Sequence, residues 1–203
     1  MIAIIDSGMG NCASVLNMLR RIGAGAKLTN SPDEVRAAQK LILPGIGAFD
    51  AGMAALQRGG LNDAICHALN ERGATMLGIC LGMQLLLEAS EEGSSRGLGL
   101  VRGRVRRFRP PPGDLRVPHM GWNVVRPVRH SLLFERDAPE EQRFYFVHSY
   151  YVECEDPEDV AGVTQYGHEY TSALEHGRVL GVQFHPEKSH RYGMALLKRF
   201  ADA

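Results

Sequence analysis

Gly78-Ile79-Cys80-Leu81-Gly82 is the stretch on which the reading of the fold turns. An apolar run, residues 76–79, leads into it. A helical pattern with Leu81, Leu85 and Glu88 at i, i+4 and i+7 follows. Small residues flanking a nucleophile, between a strand and a helix, form the nucleophile-elbow pattern, here with cysteine in place of serine. Glycine on both sides lets the backbone turn sharply and keeps side chains out of the bend. The elbow sets the Cys80 sulfur at a helix N-terminus, where the dipole favours a thiolate. The competing reading takes Cys80 as a small buried hydrophobe, the usual fate of a cysteine.

Upstream of the elbow, residues 2–5 form a continuous apolar strand, as in a parallel sheet covered on both faces. Asp6-Ser7-Gly8-Met9-Gly10 is a loop, and Asn11 caps a helix with Val15, Leu16, Leu19 and Ile22 inward, ended by Gly23. Residues 26–29 are a second strand, Ser31-Pro32 opens a short helix, and 41–43 is a third strand stopped by Pro44-Gly45-Ile46-Gly47. Helical patterns cover 50–57 and 61–72. This alternation argues for an α/β fold with an open, mostly parallel central sheet and helices on both faces. Ligands in such sheets bind beyond the carboxyl ends of the strands. Asp6, residues 44–47 and Cys80 all fall at such ends.

Downstream of residue 93, short β-like segments appear near 98–101, 104–108, 123–126, 143–147, 150–153, 160–164, 168–174 and 178–184. They read as added antiparallel or mixed strands in the C-terminal half. Pro110-Pro111-Pro112-Gly113 reads as a rigid exposed loop. An amphipathic helix with Tyr192, Ala195, Leu196 and Phe200 closes the chain. At 203 residues the expectation is a single domain, 1–203, since the length suits one full core and not two.

Lys+Arg and Asp+Glu balance at 23 each, so no electrostatic footprint points to nucleic acid or an anionic membrane. The basic run Arg102, Arg104, Arg106, Arg107 and Arg109 alternates with Val101, Gly103, Val105 and Phe108, and reads as the solvated face of a strand or hairpin. No apolar run approaches the ~18 residues of a membrane span, and nothing resembles a secretory leader. The four cysteines, Cys12, Cys66, Cys80 and Cys154, are widely spaced and lack a C-x-x-C pair. A cytoplasmic protein with reduced thiols is expected.

A thiol nucleophile needs a base within hydrogen-bond reach, and the base needs an orienting partner. Of eight histidines, His185 has the best context, Gly181-Val182-Gln183-Phe184-His185-Pro186-Glu187. An alternating strand ends at His185, and Pro186 holds the next residue extended, so residues 185 and 187 point the same way. Glu187 then orients the imidazole while its other nitrogen faces Cys80. The alternative is a simple His-Pro turn with a solvated Glu187. The order Cys, His, Glu disfavours an ordinary α/β-hydrolase, which runs nucleophile, acid, histidine. Backbone donors for an oxyanion are the Ile46 and Gly47 amides and the Leu81 amide just past the nucleophile. The alternative on spacing alone is a Pro-Gly turn that caps the strand. Other signals fail. Gly8-Met9-Gly10-Asn11-Cys12-Ala13 fits a dinucleotide fingerprint, but its first glycine comes late and no acid ends the second strand. His168-Glu169 lacks a zinc motif's second histidine, since position 172 is Ser172. No metal and no cofactor are expected.

Together, Pro44-Gly45-Ile46-Gly47, Gly78-Ile79-Cys80-Leu81-Gly82-Met83-Gln84 and Gln183-Phe184-His185-Pro186-Glu187 resemble the class I glutamine amidotransferases, over nearly the whole chain. Residues 6–11, 44–49, 117–123, 145–150 and 185–189 are similar to the subgroup that serves histidine biosynthesis. Ser7 departs from the aromatic common there, and the elbow strand lacks the usual preceding proline. The resemblance implies a flavodoxin-like architecture and a glutaminase. Cys80 would attack the side-chain amide of glutamine, with the Ile46, Gly47 and Leu81 amides holding the oxyanion. His185 would pass the proton to departing ammonia, with Glu187 stabilising the imidazolium. Gln84, Glu92, Ser149 and Tyr150 would grip the amino-acid end of glutamine.

The resemblance also implies a heterodimer with a (βα)₈-barrel cyclase subunit. That partner uses the channelled ammonia to make imidazole glycerol phosphate and aminoimidazole carboxamide ribonucleotide. Asn11, Met120, Trp122, Tyr145 and Lys188 are expected at its interface, although Trp122 and Tyr145 also suit a core. In this family glutaminase activity is weak until the cyclase ligand binds, and a misdirected peptide amide in residues 45–47 would account for that. The rivals are a subunit of another synthase (anthranilate, pyridoxal phosphate or carbamoyl phosphate), a stand-alone γ-glutamyl cysteine hydrolase, and a non-catalytic binding module on the same scaffold.

Overall fold

The computed structural model describes residues 1–109, 115–134 and 141–203; the proline-rich stretch 110–113 lies outside them. The elements run β1 (Ile2–Ile5), α1 (Cys12–Arg21), β2 (Ala26–Thr29), α2 (Pro32–Ala37), β3 (Lys40–Gly45), α3 (Phe49–Arg58), α4 (Leu61–Arg72), β4 (Thr75–Cys80) and α5 (Leu81–Leu85). There follow β5 (Ala89–Ser90), β6 (Gly103–Arg107), β7 (His119–Pro127), β8 (Gln142–His148) and β9 (Tyr150–Cys154). The chain closes with β10 (Val160–Tyr166), β11 (His168–His176), β12 (Val179–Val182) and α6 (His190–Asp202).

β1 is buried along its whole length because successive side chains enter two different cores. Ile2 and Ile4 point into one apolar cluster, Ala3 and Ile5 into the other, as the pleat of a strand requires. The same split divides Ile42, Leu77 and Ile79 from Leu41, Leu43 and Met76. Helix α1 starts where Asn11 Oδ1 accepts from Ser14 N–H at 3.3 Å, and it buries Val15, Leu16 and Leu19.

Among the described residues the strands form one twelve-stranded sheet. β2, β1, β3, β4 and β12 lie side by side and parallel. β12 is the hinge of the pattern, parallel to β4 and antiparallel to β11, and β10, β7 and β8 extend the sheet antiparallel beyond it. The α/β class and the added antiparallel strands are as the sequence implied. β1, β3 and β4 end at one edge, where Gly45 pairs with Cys80.

Three local expectations fail. Residues 98–101 are not a strand, and α5 stops at Leu85, short of Glu88. One cause explains both. Leu98, Leu100 and Gly99 donate their amides to the carbonyls of Leu85, Leu86 and Leu87 at 2.8, 2.9 and 3.2 Å, so the returning chain takes the acceptors that would continue the helix. β3 also runs through Pro44 and Gly45 instead of stopping before them. The basic run lies on and beside β6, where Arg106 meets Glu91 and Glu153 and Arg109 meets Glu91. All four cysteines are free. Among the described residues no helix is long and apolar enough to cross a membrane, and no group of three metal-ligating side chains is placed to hold an ion.

Candidate active site

β4 delivers Cys80 to the carboxyl edge of the sheet, and α5 begins at the next residue. Cys80 has φ 54° and ψ −110°, a conformation that costs an L-residue about 1–3 kcal/mol. The bend needs close backbone approach. A methyl on Gly78 would lie 2.6 Å from the Gly82 carbonyl oxygen, and one on Gly82 would collide with the Leu43 carbonyl. Cys80 is 6% exposed and sits among core residues, yet packing alone gives no reason to hold it at a positive φ. Leu81 opens α5, so its amide is among the first-turn donors that have no acceptor within the helix.

β12 ends at Val182, and residues 183–185 leave the sheet until His185 bridges to Tyr145 of β8. The geometry that pairs His185 with Glu187 is not the expected extended backbone. Pro186–Lys188 form a 3₁₀ turn, because the fixed φ of Pro186 suits the first position of a helical turn as well as a strand. The turn folds Glu187 back so that His185 Nδ1–H donates to Glu187 Oε1 at 2.8 Å, with both side chains almost wholly buried. Glu187 is therefore not solvated. Ser189, fully buried, clamps the turn: its Oγ donates to the His185 carbonyl at 2.6 Å and accepts from Tyr145 N–H at 3.0 Å. His185 N–H donates to the Tyr145 carbonyl at 2.9 Å.

Among the described residues, the buried His185 Nε2 and Glu187 Oε2 have no hydrogen-bond partner. Burial acts against charge on the ring, but the Cys80 sulfur and the Glu187 carboxylate outweigh it and raise the pKa from 6.5 to about 10. The nitrogen left unpaired is thus the one that interacts with Cys80, as proton exchange with a thiol demands.

Beneath the sulfur lies a polar layer. Gln183 Nε2 donates to Cys80 Sγ at 3.7 Å, Gln84 Nε2 donates to Gln183 Oε1 at 3.1 Å and to the Tyr150 carbonyl at 3.3 Å. Of the four residues expected to grip glutamine, Gln84 and Tyr150 are therefore joined, the Gln84 side chain to the Tyr150 main-chain carbonyl. Glu92 Oε2 accepts from Phe49 N–H at 2.8 Å and caps α3. The Ser149 carbonyl accepts from Phe108 N–H at 3.0 Å. Gln183 and Ser189 escaped the sequence reading, although both stand inside or beside the Gln-Phe-His-Pro-Glu motif. A polar residue in an otherwise fully apolar strand end was the available signal.

In the oxyanion segment one of the expected donors is engaged elsewhere. Ile46 N–H donates to the Met9 carbonyl at 3.0 Å, so this amide is already satisfied. Gly47 has φ 106°, a value that glycine tolerates and other residues resist. Ile46 itself is 49% exposed.

Four of the five interface candidates gather around Trp122. It pairs across the β7–β8 ladder with Tyr145 at a ring distance of 6.2 Å, and Lys188 Nζ lies 5.8 Å from the Tyr145 ring. Met120 and Trp122 are 61% and 46% exposed, so Trp122 is not a core aromatic. His190, unmarked in the sequence reading, stacks on Trp122 at 5.6 Å. Asn11 is exposed at the N-cap of α1.

An elbow cysteine beside a buried His-Glu pair, on a parallel sheet extended by antiparallel strands, defines a class. The chain belongs to the class I glutamine amidotransferases: the family model "Glutamine amidotransferase class-I" matches residues 3–203. Its curated relatives are more particular. It is 48% identical to imidazole glycerol phosphate synthase subunit HisH 2 of Pseudomonas aeruginosa, covering 100% of this chain and 99% of that one. It is 50% identical to subunit HisH of Moorella thermoacetica, covering 99% and 94%. Among solved structures, a crystal structure of glutamine amidotransferase superposes with a TM-score of 0.76 at 16% identity, over 100% of this chain and 99% of that one; it speaks for the fold.

Proposed function

We propose that this chain, 1–203, is one amidotransferase domain acting as the glutaminase subunit of an imidazole glycerol phosphate synthase. The observation that carries the reading is the buried His185 ring. It is held by Glu187 at Nδ1, the Cys80 sulfur and Glu187 raise its pKa against burial, and its Nε2 has no hydrogen-bond partner among the described residues. Relatives 48% and 50% identical over almost their whole length supply the particular synthase.

In this reading the Cys80 thiolate attacks the side-chain amide carbon of glutamine, and the C=O electrons move onto oxygen. The Leu81 amide and an amide of residues 46–47 hold that oxyanion, each worth roughly 10²–10³ in rate. His185 Nε2–H then protonates the departing nitrogen, the C–N bond breaks, and ammonia leaves a thioester. The ring, now neutral, takes a proton from water as water attacks. Glutamate is released and the thiolate–imidazolium pair returns. Glu187 holds the ring and stabilises its charge at both protonation steps. Gln84, Glu92, Ser149 and Tyr150 are the residues assigned to the amino-acid end of glutamine.

Free ammonia at neutral pH is mostly protonated and no longer nucleophilic, which favours direct transfer to a partner. The proposed partner is the (βα)₈-barrel cyclase, docking on the face that carries Met120, Trp122, Tyr145, Lys188 and Asn11. The bond from Ile46 N–H to Met9 supports an idling state, since one oxyanion donor is turned to other use until the partner engages. The test is glutamate release from the chain alone, with the cyclase, and with the cyclase plus its nucleotide substrate. Slow release alone and strong stimulation only in the full mixture are expected. Full activity alone would point to a stand-alone hydrolase, and indifference to this cyclase would point to another synthase.

A further inference from the structure

His119, His148 and Tyr170 are buried, at 3%, 6% and 3% exposure, and come from three strands, β7, β8 and β11. They form one line. His148 Nδ1 lies 2.7 Å from the Tyr150 carbonyl and His148 Nε2 lies 3.2 Å from Tyr170 Oη. Tyr170 Oη lies 3.1 Å from His119 Nδ1, and His119 Nε2 lies 3.3 Å from Asn123 Nδ2.

The polarity of this line is determined from both ends. A carbonyl only accepts, so His148 carries its proton on Nδ1. Burial pushes His148 down to about 3, so the ring is neutral and its Nε2 accepts from the Tyr170 hydroxyl. The Tyr170 oxygen then accepts from His119 Nδ1–H. Burial also holds His119 down, at about 4, and its rings of contact, Phe146 and Tyr166, stack on both sides. His119 Nε2 must accept, and Asn123 Nδ2 supplies the donor. The Asn123 amide cannot turn over freely, because Nδ2 also donates to the Gln165 carbonyl at 3.0 Å and Oδ1 accepts from Val124 N–H at 2.8 Å. Every proton in the line points from β7 toward Tyr150.

The Tyr150 carbonyl is where this line meets the layer beneath the nucleophile, for it also accepts from Gln84, which bonds Gln183, which reaches Cys80. We propose that Asn123, His119, Tyr170 and His148 are positioning residues, a hydrogen-bond chain of fixed polarity that sets the Tyr150 carbonyl and, through Gln84 and Gln183, the Cys80 thiol. It begins on β7, whose Met120 and Trp122 stand on the exposed side of the strand. Strain or movement of β7 is therefore delivered to the nucleophile. The catalytic part of this inference rests on Cys80 being the glutaminase nucleophile.

The test has a spectroscopic arm and a chemical arm, both on the full chain. Long-range ¹⁵N–¹H correlation at neutral pH shows His119 and His148 as neutral, Nδ1-protonated rings; an Nε2–H tautomer or a charged ring at either position overturns the chain. Tyr170→Phe deletes the central hydroxyl and keeps the ring. It changes the rate of Cys80 alkylation by iodoacetamide, read by peptide mass spectrometry, about tenfold, and it lowers kcat for glutamine more than it changes KM. Asn123→Asp sets an acceptor against His119 Nε2 at the half-exposed end, leaves the core volume alone, and moves alkylation in the same sense by about threefold. Asn123→Asp carries the test if Tyr170→Phe fails to fold. Unchanged alkylation in the folded variants overturns the chain. Failure of the wild type to hydrolyse glutamine overturns the glutaminase reading instead, and the alkylation arm still decides the chain.

Discussion

His185 at the parallel edge of the sheet and His148 in the antiparallel seam are buried almost equally, 2% and 6% exposed, yet their chemistry is opposite. His185 is raised to about 10 by the Cys80 sulfur and Glu187 against the effect of burial. His148 is pushed to about 3, chiefly by burial, and the hydrogen bond to the Tyr150 carbonyl opposes that only in part. Burial alone therefore assigns no role to a histidine. A sulfur and a carboxylate in contact raise the one; a buried seat against a carbonyl and a phenol keeps the other neutral.

Removing the sulfur or the carboxylate from the first environment is the strongest way to break this contrast. Cys80→Ala abolishes partner-stimulated glutamate release, by about 10⁴-fold or more, with the circular dichroism spectrum unchanged. Glu187→Gln keeps a hydrogen-bond partner near Nδ1 and deletes the charge. Its glutaminase rate falls about 10³-fold. Glu187 raises the His185 pKa, so without it the imidazolium is lost at lower pH, and the basic limb of the kcat/KM profile moves toward acid. A profile that does not move would show that Glu187 has no electrostatic part in the triad.

Two smaller effects sharpen the comparison by leaving the triad intact. Gly47→Ala places a methyl 3.0 Å from Met9 Cε at φ 106° and hinders any rearrangement of the Ile46 peptide. The stimulated rate drops about 10²-fold, the worth of one oxyanion donor, while the unstimulated rate changes little in a side-by-side assay. Trp122→Ala weakens cyclase binding about 30-fold by calorimetry, as expected of a central aromatic anchor. It leaves the rate at saturating cyclase within a few-fold if Trp122 serves docking alone. A larger loss at saturation would show that the Trp122 face also acts on turnover.

The parallel half was legible because β1, β3 and β4 carry apolar runs that end in loops or bends rich in small residues, and because the elbow is marked by glycine on both sides of Cys80. Cys80, His185 and Glu187 could be named for the same reason: each sits in a contiguous motif. What brings His185 and Glu187 together was misjudged, since the same proline permits either an extended strand or a 3₁₀ turn and only packing decides. α5 was overextended because its end is set by amides from residues 98–100, a tertiary effect that no helical period records. The seam of His119, Tyr170 and His148 was out of reach altogether. The β7–β8 register places His119 opposite His148, and β11 brings Tyr170 between them. None of that is written in local spacing.

The clamp between β8 and the catalytic turn is made of main-chain atoms on one side. Tyr145 contributes only its N–H and C=O to Ser189 and His185, and its ring faces Trp122 and Lys188. The grip on the histidine therefore does not depend on which side chain occupies position 145. A lineage adapting to a different docking surface is free to rewrite that side chain, while the alignment of His185 is inherited unaltered through the peptide backbone. The arrangement separates the main-chain atoms that hold His185 from the side chain that faces Trp122 and Lys188.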